Sequence, residues 1–258
     1  AVAGLMEMEN DGSGALSAVQ DLVNGLNAAT SPGKYALVAE PEPGSDQIKV
    51  AMIYQPALVS PSGTAVNYQV GDPTYGAELF DRPPLAQTFQ HVATGQIFTV
   101  IVNHFKSKGS CPTSGPDTDQ GDGQGCWNPK RTRQAQELLS FIGARQAASG
   151  DLDVLVIGDL NSYGMEDPIQ ALTAGGLVNT IQQRIGDDAY SYVFDGMSGY
   201  LDHALATSTL DSQISGVTEW HINADEPSVI DYNVEFKNNP TCTSTTCTSP
   251  DYYAATPF

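Results

Sequence analysis

The sequence predicts an α/β protein built as a layered sandwich of sheets and helices. Two observations lead to this prediction. Segments with strand character outnumber helical ones, with few helices between them. In addition, the branched apolar run Val154–Ile157 is typical of a strand buried on both faces. A doubly wound sheet would instead need helices and strands in regular alternation.

Period-two apolar patterns and β-branched residues place the strands. The predicted strands are Val2–Met8, Tyr35–Ala39, Ile48–Tyr54, Leu85–Val92, Ile97–His104, 153–157, Ala189–Phe194, His203–Ala206 and Val217–Asn223. The turn-forming residues 93–96 join two of these strands as a hairpin. The sequence shows no internal repeat.

Helical spacing appears in two long segments. Between residues 15 and 29, apolar side chains recur at the intervals of one helix face. A second helix is predicted from Pro129, at a first-turn position that tolerates proline, to about Ala148. A short helix opens near 166–168, and polar loops occupy 106–128 and the chain after Lys237.

The composition indicates a globular acidic protein. Of its 258 residues, 40% are hydrophobic and 16% charged, and 30 acidic against 11 basic residues give a net charge of −19. This balance argues against a strongly basic nucleic-acid-binding module, but it allows an enzyme that meets polyanions through divalent cations. High net charge favours a soluble monomer. No apolar run approaches the ~20 residues of a membrane span.

The four cysteines lie as two close pairs in polar loops, Cys111 with Cys126 and Cys242 with Cys247. Neither pair has zinc-ligand spacing or a nearby histidine, so two disulfides are favoured over a zinc site. Three connectivities are possible, and the local one closes the shortest loops. Disulfides imply an oxidising compartment, so we expect a secreted, extracellular or periplasmic protein.

The segment Gly158-Asp159-Leu160-Asn161 ends the buried strand with a carboxylate and an amide two positions apart. If the backbone stays extended, both side chains point to one side. A carboxylate can bind a hard cation or activate water, and an amide can hold a phosphate oxygen. The alternative is an Asx turn that simply closes the strand.

Three other strand ends also carry polar groups. His104 follows an apolar strand and precedes Lys106 and Lys108, so it can contact a phosphate, or it is a structural histidine beside a solvated loop. Asp202 begins a strand, as a site residue or as a cap. Glu7 ends the first strand and, with Glu9 on the same face, can bind a divalent cation or be solvated.

Together these segments resemble the endonuclease/exonuclease/phosphatase superfamily, which has the DNase I-like fold, and are most similar to secreted bacterial nucleases. The segments that carry the resemblance are 4–12 (Gly-Leu-Met-Glu-Met-Glu-Asn-Asp-Gly), 82–89, 102–109, 119–128, 157–163, 190–196, 199–205 and 220–227. The resemblance implies a four-layer α/β/β/α sandwich over nearly the whole chain.

The resemblance also implies roles for individual residues. Glu7 matches the metal-binding glutamate, with Mg²⁺ or Mn²⁺ as the ion. His104 matches the histidine that contacts the phosphate or assists the leaving group. Asp159 matches the acid that activates water, Asn161 the amide that steadies the phosphate, and Asp202 a supporting acid. The implied reaction is metal-assisted hydrolysis of a phosphodiester.

Beyond these residues, Lys106 and Lys108 are predicted to contact backbone phosphates, whereas Arg82 beside two prolines is a weaker candidate. The family normally adds an Asn-bearing first strand and a closing Asp-His motif, which this sequence lacks. We therefore expect a single catalytic domain over 1–258 that is incomplete at both ends, lacks terminal strands, and is weakly active or inactive.

The function expected from this resemblance is that of a secreted nuclease acting on DNA or also RNA. Two alternatives stay open. One is a phosphoesterase of the same fold acting on phospholipid or inositol phosphate, which the absence of a recognisable exposed aromatic hairpin disfavours. The other is a binding module that has lost catalysis, which the retained polar residues disfavour.

A further loop carries alternate acids at Asp117, Asp119 and Asp122. Such acids in a glycine-rich loop suit a structural Ca²⁺. The full EF-hand pattern is missing, so a solvated loop held by a disulfide is the favoured interpretation.

Overall fold

The computed structural model describes residues 1–194 and 196–226. Residues 1–220 form one compact unit, and only 221–226 of the second unit are described, as a turn. That the whole chain forms a single domain therefore stays a prediction. No helix among the described residues is long and apolar enough to cross a membrane.

Within its described residues the first unit contains twelve strands, five α-helices and one 3-10 helix at Gly186–Asp188. The strands are β1 (Val2–Glu9), β2 (Ala36–Leu37), β3 (Ile48–Tyr54), β4 (Val59–Pro61), β5 (Val66–Asn67), β6 (Leu85–His91), β7 (Ile97–His104), β8 (Val154–Asp159), β9 (Leu177–Asn179), β10 (Tyr192–Phe194), β11 (Met197–Gly199) and β12 (Asp202–Thr207). The helices are α1 (Ala18–Ala29), α2 (Asn128–Ser149), α3 (Asp167–Ala174), α4 (Thr180–Arg184) and α5 (Ser208–Asp211).

Two sheets form the centre of the unit. The small sheet has the antiparallel order β1-β3-β2, and the large sheet has the order β4-β6-β7-β8-β12-β9, with β5 also beside β6. Its β7–β8 pair is parallel, because the chain returns through α2 to the same edge before β8 begins. A separate hairpin is formed by β10 and β11.

Alternate side chains of the strands face different layers. On β3, Val50 and Met52 pack towards the large sheet, whereas Ala51 and Ile53 pack with Val23 of α1. The opposite face of the large sheet packs against α2 and α3, with a buried core that includes Ile101, Leu138, Val156, Ile169 and Leu172. The layers therefore run α1, small sheet, large sheet, α2 with α3, which confirms the four-layer α/β/β/α sandwich.

Most element predictions are confirmed. The strands Ile48–Tyr54 and Ile97–His104 are correct at both ends, and α1 begins three residues late because Ser17 Oγ caps it by accepting from Gln20 N at 3.3 Å. The predicted strand Val217–Asn223 is wrong. Residues 217–220 have no regular structure, because no described strand pairs with them. Val217 instead packs against a small apolar cluster. Ala189–Phe194 shortens to β10.

One local disulfide is present. Cys111 and Cys126 are bonded across the long loop before α2, as predicted. The predicted Cys242–Cys247 pair lies outside the described residues. The Cys111–Cys126 bond closes a loop that is short in sequence, and it therefore confines the residues that lead from β7 to α2.

Gly158 permits the close approach of β7 and β8. Its φ is +128°, and a Cβ there would lie 2.0 Å from the Asn103 carbonyl oxygen. We expect Gly158→Ala to lower the free energy of unfolding by about 2–4 kcal/mol, because it combines overpacking with backbone strain. Urea unfolding followed by circular dichroism measures this change.

The matched control is Gly143→Ala in α2, where a Cβ meets no heavy atom within 4 Å. This change should raise stability by about 0.5–1 kcal/mol, because alanine has the higher helix propensity. Similar destabilisation by both substitutions would show that close packing at Gly158 is not the cause.

Candidate active site

Three strand ends of the large sheet place polar residues side by side. In the parallel β7–β8 pair, His104 lies opposite Asp159, and in the antiparallel β8–β12 pair, Asp159 lies opposite Asp202. These residues are far apart in sequence but form one row at one edge of the sheet. The row contains three of the predicted catalytic residues, with Asp159 at its centre.

Asp159 has an unusual protonation equilibrium. The pKa of its carboxyl is raised to about 7, first by burial and then by the negative charges of Asp202 and Glu7. A hydrogen bond from the Asn161 backbone and the charge of Arg82 act in the opposite direction. A carboxyl with a pKa near neutrality can accept a proton from water at physiological pH.

Asn161 holds the Asp159 carboxylate. The Asn161 backbone N donates to Asp159 Oδ1 at 2.7 Å, and its side-chain Nδ2 donates to Oδ2 at 3.2 Å. Asn161 has φ +48°, so the backbone is not extended as one interpretation assumed. The segment is an Asx turn and also part of the row, so the two alternatives are compatible. That Asn161 steadies a phosphate stays a prediction, since its amide also donates to Phe105 O at 3.1 Å.

His104 is buried beside Asp159, with Nε2 3.5 Å from Asp159 Oδ2. Burial, followed by the positive charge of Arg82, lowers its pKa to about 4. The imidazole is therefore neutral at pH 7. A neutral imidazole can donate one N–H to a phosphate oxygen or another acceptor.

Arg82 has a larger part in the site than its sequence context indicates. Its guanidinium is buried, donates to Phe105 O at 2.7 Å and contacts the His104 carbonyl oxygen at 3.4 Å, and pairs with Asp46 at 2.9 Å. It thus fixes the end of β7 where His104 lies. The neighbouring prolines gave no signal of these long-range contacts.

Glu7 approaches from the small sheet. It lies at a bulge in β1, where the register shifts between Leu5 and Met8, and it has φ +59°. The bulge interrupts the alternation that was expected to place Glu7 and Glu9 on one face. Glu7 is exposed, and its charge acts on Asp159. Carboxylates of both sheets therefore influence one position.

A residue that the sequence analysis missed, Ser191, orients Asp202. Its hydroxyl donates to Asp202 Oδ2 at 2.7 Å. Ser191 Oγ in turn accepts long hydrogen bonds from the backbone N of Leu201 and Asp202. His203, by contrast, is a buried structural residue whose Nε2 lies 2.7 Å from Ser162 O. A serine before a strand carries no sequence signal for such a role.

A family model described as the endonuclease/exonuclease/phosphatase family matches residues 2–228, a range that includes the whole row and Glu7. The chain belongs to this family. Its members are hydrolases of phosphoester bonds and generally use divalent metals. A comparison with curated proteins gives no match.

Solved structures share the family fold at low sequence identity. The human Nocturnin catalytic domain with bound sulfate is 17% identical, with 80% of this chain and 69% of that chain covered and a TM-score of 0.56. A mannosyl-6-phosphatase from Bacteroides thetaiotaomicron is 14% identical, with 81% and 71% covered and a TM-score of 0.53. TDP2 from D. rerio, complexed with a single-strand DNA product, is 16% identical, with 81% and 72% covered and a TM-score of 0.50.

The carboxylates of this family member suit a divalent cation. Mg²⁺ is commonly bound through one or two carboxylates, with water and substrate oxygens as its other ligands. Besides burial, the charges of Asp202 and Glu7 raise the pKa of Asp159, so negative charge that a cation would neutralise acts on this position. Within the described ranges, no three His, Cys, Asp or Glu side chains form a complete metal cage. Such a cage is not required for Mg²⁺.

The two lysines predicted to bind phosphate differ in their surroundings. Lys108 Nζ pairs with Glu166 and donates to Gln124 O at 2.8 Å, so it is engaged within the protein. Lys106 Nζ lies 5.1 Å from the ring centroid of Trp127, and no acidic side chain of the described chain pairs with it. Lys106 is therefore the better placed of the two to meet a phosphate.

The three carboxylates of the acidic loop at 117–122 do not point to a common position that a cation could occupy. Asp117 is buried and its Oδ1 accepts from Lys130 N and Tyr75 Oη. Asp119 accepts from Gly121 N, and Asp122 accepts from Gln124. Each acid thus has its own local partners, as the favoured interpretation of a disulfide-held loop predicts. The structure provides no support for the Ca²⁺ site.

An exposed aromatic hairpin stands beside Asp202. Within β10 and β11, Tyr192 is 43%, Phe194 55% and Met197 70% exposed. The expectation that no such hairpin is present is wrong. In sequence, Tyr-Val-Phe has the composition of a buried strand, and only the tertiary structure shows that, among the described strands, β10 pairs with β11 alone.

Proposed function

We propose that this protein is a secreted, metal-dependent nuclease that hydrolyses phosphodiester bonds of extracellular DNA, with RNA as a second substrate. The observation that carries the proposal is the row His104–Asp159–Asp202, with the charge of Glu7 acting on it. The Cys111–Cys126 disulfide supports an oxidising compartment. The acidic net charge supports a monomer.

In this proposal, Glu7 would hold the Mg²⁺ or Mn²⁺ ion, and Asp159 and Asp202 would add negative charge beside it. When bound, the ion neutralises charge that develops on the phosphoryl oxygens. Asp159 accepts the proton of the attacking water, for which its pKa of about 7 is suited. Asn161 keeps the carboxylate oriented, and neutral His104 donates to a phosphoryl oxygen.

The distribution of basic residues predicts how the substrate is held. Seven of the ten Lys and Arg side chains in the described residues are already in ion pairs; they are Lys49, Arg82, Lys108, Lys130, Arg131, Arg133 and Arg184. Few cations therefore remain to neutralise backbone phosphates. We expect the affinity for DNA to fall only weakly with salt, with a log–log slope of about −1 to −2, unlike proteins that make six or more phosphate contacts.

A phosphoesterase acting on phospholipid or inositol phosphate is the second candidate. The exposed β10–β11 hairpin favours it, since an apolar protrusion beside a phosphate site can approach a membrane surface. The two candidates share the reaction centre and differ only in what surrounds the phosphate. A test of function must therefore offer both substrate classes.

Plasmid nicking with Mg²⁺ or Mn²⁺, beside phosphate release from inositol phosphates and phosphoinositide vesicles, separates these candidates. We expect the wild-type protein to nick the plasmid, EDTA to stop it, and Asp159→Ala to be inactive. Phosphate release without nicking would establish the second candidate. No reaction with any substrate under either metal would contradict the proposed activity for residues 1–258 and agree with either an inactive catalytic domain or a non-catalytic binding module.

A further inference from the structure

The β10–β11 hairpin exposes two aromatic rings in an arrangement suited to stacking. The rings of Tyr192 and Phe194 are nearly parallel, with an interplanar angle of 13° and centroids 6.2 Å apart. Both side chains are exposed, although an aromatic ring of this size normally contributes most when it is buried. An exposed pair of parallel rings calls for an explanation beyond the stability of the fold.

The base of the hairpin is joined to the candidate active site. Ser191 N donates to Gly199 O at 3.0 Å and closes the hairpin, while the Ser191 hydroxyl donates to Asp202. Gly199 also packs directly on the ring of Tyr163, which follows Asn161 by two residues; a Cβ at Gly199 would lie 2.7 Å from that ring. The base of the hairpin that carries the rings therefore lies against Asp202 and Tyr163, at the candidate active site.

We propose that this hairpin is a stacking platform for an unpaired nucleobase next to the scissile phosphate; this rests on the nuclease function proposed above. Stacking on aromatic side chains is tolerant of sequence, because every base has a π face. It also needs no positive charge, which suits a chain with few unpaired cations. Base stacking thus supplies substrate affinity that the phosphate contacts lack.

The chemistry of the hairpin favours a nucleobase over a lipid. The sequence between its strands is Asp195-Gly196, and an aspartate opposes the insertion of a hairpin into hydrocarbon. Between Arg184 and Lys237 the sequence has no Lys or Arg to attract anionic headgroups.

The test compares the wild-type protein with Tyr192→Ala/Phe194→Ala, and with Leu16→Ala as a control for loss of an exposed apolar side chain elsewhere. Binding is measured in EDTA with a single-stranded oligonucleotide that carries 2-aminopurine, whose fluorescence falls when it stacks. We expect quenching with the wild type and with Leu16→Ala, and affinity about 5- to 150-fold weaker, without quenching, for the double variant. Tyr192→Phe should retain both.

Cleavage adds a second readout. The double variant should lose kcat/KM on the oligonucleotide by a similar factor, but keep it within about 2-fold on an oligomer of abasic sites, where no base can stack. Equal losses on both substrates would overturn the proposal and make the hairpin a support for Asp202. Unchanged binding by the double variant, or wild-type binding to phosphatidylcholine–phosphatidylserine vesicles that the variant loses, would also overturn it. Base stacking without any cleavage would refute the nuclease function but not the platform.

Discussion

Asp159→Asn should lower kcat/KM for phosphodiester hydrolysis by about 10²- to 10⁴-fold, the range typical of losing a general base. The amide keeps the shape of the side chain but cannot accept a proton from water. Initial rates on plasmid and oligonucleotide substrates measure the loss. The wild-type rate should rise with pH as Asp159 ionises, at a pH below about 7 because a bound cation lowers the pKa of this carboxyl, and the residual rate of the variant should lack this rise.

The same substitution should stabilise the fold above neutral pH. The pKa of Asp159 is raised to about 7, so the native state retains a proton that the unfolded state releases near pH 4. Relative to high pH, this difference in proton binding stabilises the native state; the stabilisation is fully present below about pH 4 and is lost as pH rises through 7. The neutral amide has no such loss. Urea unfolding in EDTA should therefore show the variant to be more stable at pH 8 and the difference to vanish near pH 4.

Asp188→Asn is the matched control, because Asp188 is exposed and the substitution removes the same charge. It should leave the activity unchanged and alter stability by no more than about 0.5 kcal/mol at either pH. A pH-independent change in the Asp159→Asn variant would show that burial of this carboxyl does not oppose folding.

Arg131→Met should destabilise the protein by about 3–5 kcal/mol, since it breaks a buried ionic network. The Arg131 side chain is fully buried on α2 and donates to Cys126 O at 2.7 Å, Gln124 O at 3.0 Å and Ser162 Oγ at 3.2 Å. It also lies 3.7 Å from the buried carboxylate of Glu166. Its loss leaves several buried acceptors without a donor.

Arg133→Met provides the comparison on the same helix. Arg133 pairs with Asp72 and Glu137, but its side chain is 39% exposed, so its removal should cost about 0–1 kcal/mol. Chemical denaturation of both variants gives the difference. If the two costs were equal, the loop before α2 would not depend on the buried guanidinium, and the disulfide would suffice to hold it.

The sequence predicted secondary structure well where the neighbouring residues along the chain determine the local conformation. β3 and β7 were predicted to the residue, because burial on both faces selects long apolar runs. The short strands β4, β5, β9 and β11 were missed, since two or three residues show no periodicity. The resemblance to the family, carried by the order of polar residues at strand ends, implied that His104, Asp159 and Asp202 would meet.

Other parts of the site depend on contacts between distant segments. Arg82 binds carbonyl groups about twenty residues away, and Arg131 joins a loop to a turn after β8. Such contacts have no local pattern that distinguishes them from surface charges. The exposure of Tyr192 and Phe194 was unpredictable for a related reason, because exposure is set by which strands pair with β10.

The position of Glu7 on the small sheet has a consequence for how the sandwich closes. Its charge and those of Asp159 and Asp202 repel across the junction of the two sheets, at the edge where apolar packing ends. Closing the sandwich therefore works against its own carboxylates. A divalent cation bound there would stabilise the contact between the two sheets. The stability of this contact and the affinity for the ion would therefore rise or fall together. Gly4→Ala, whose Cβ would lie 2.8 Å from the side chains of Val102 and Ile157, should weaken both the packing of the two sheets and the affinity for the cation without altering any carboxylate.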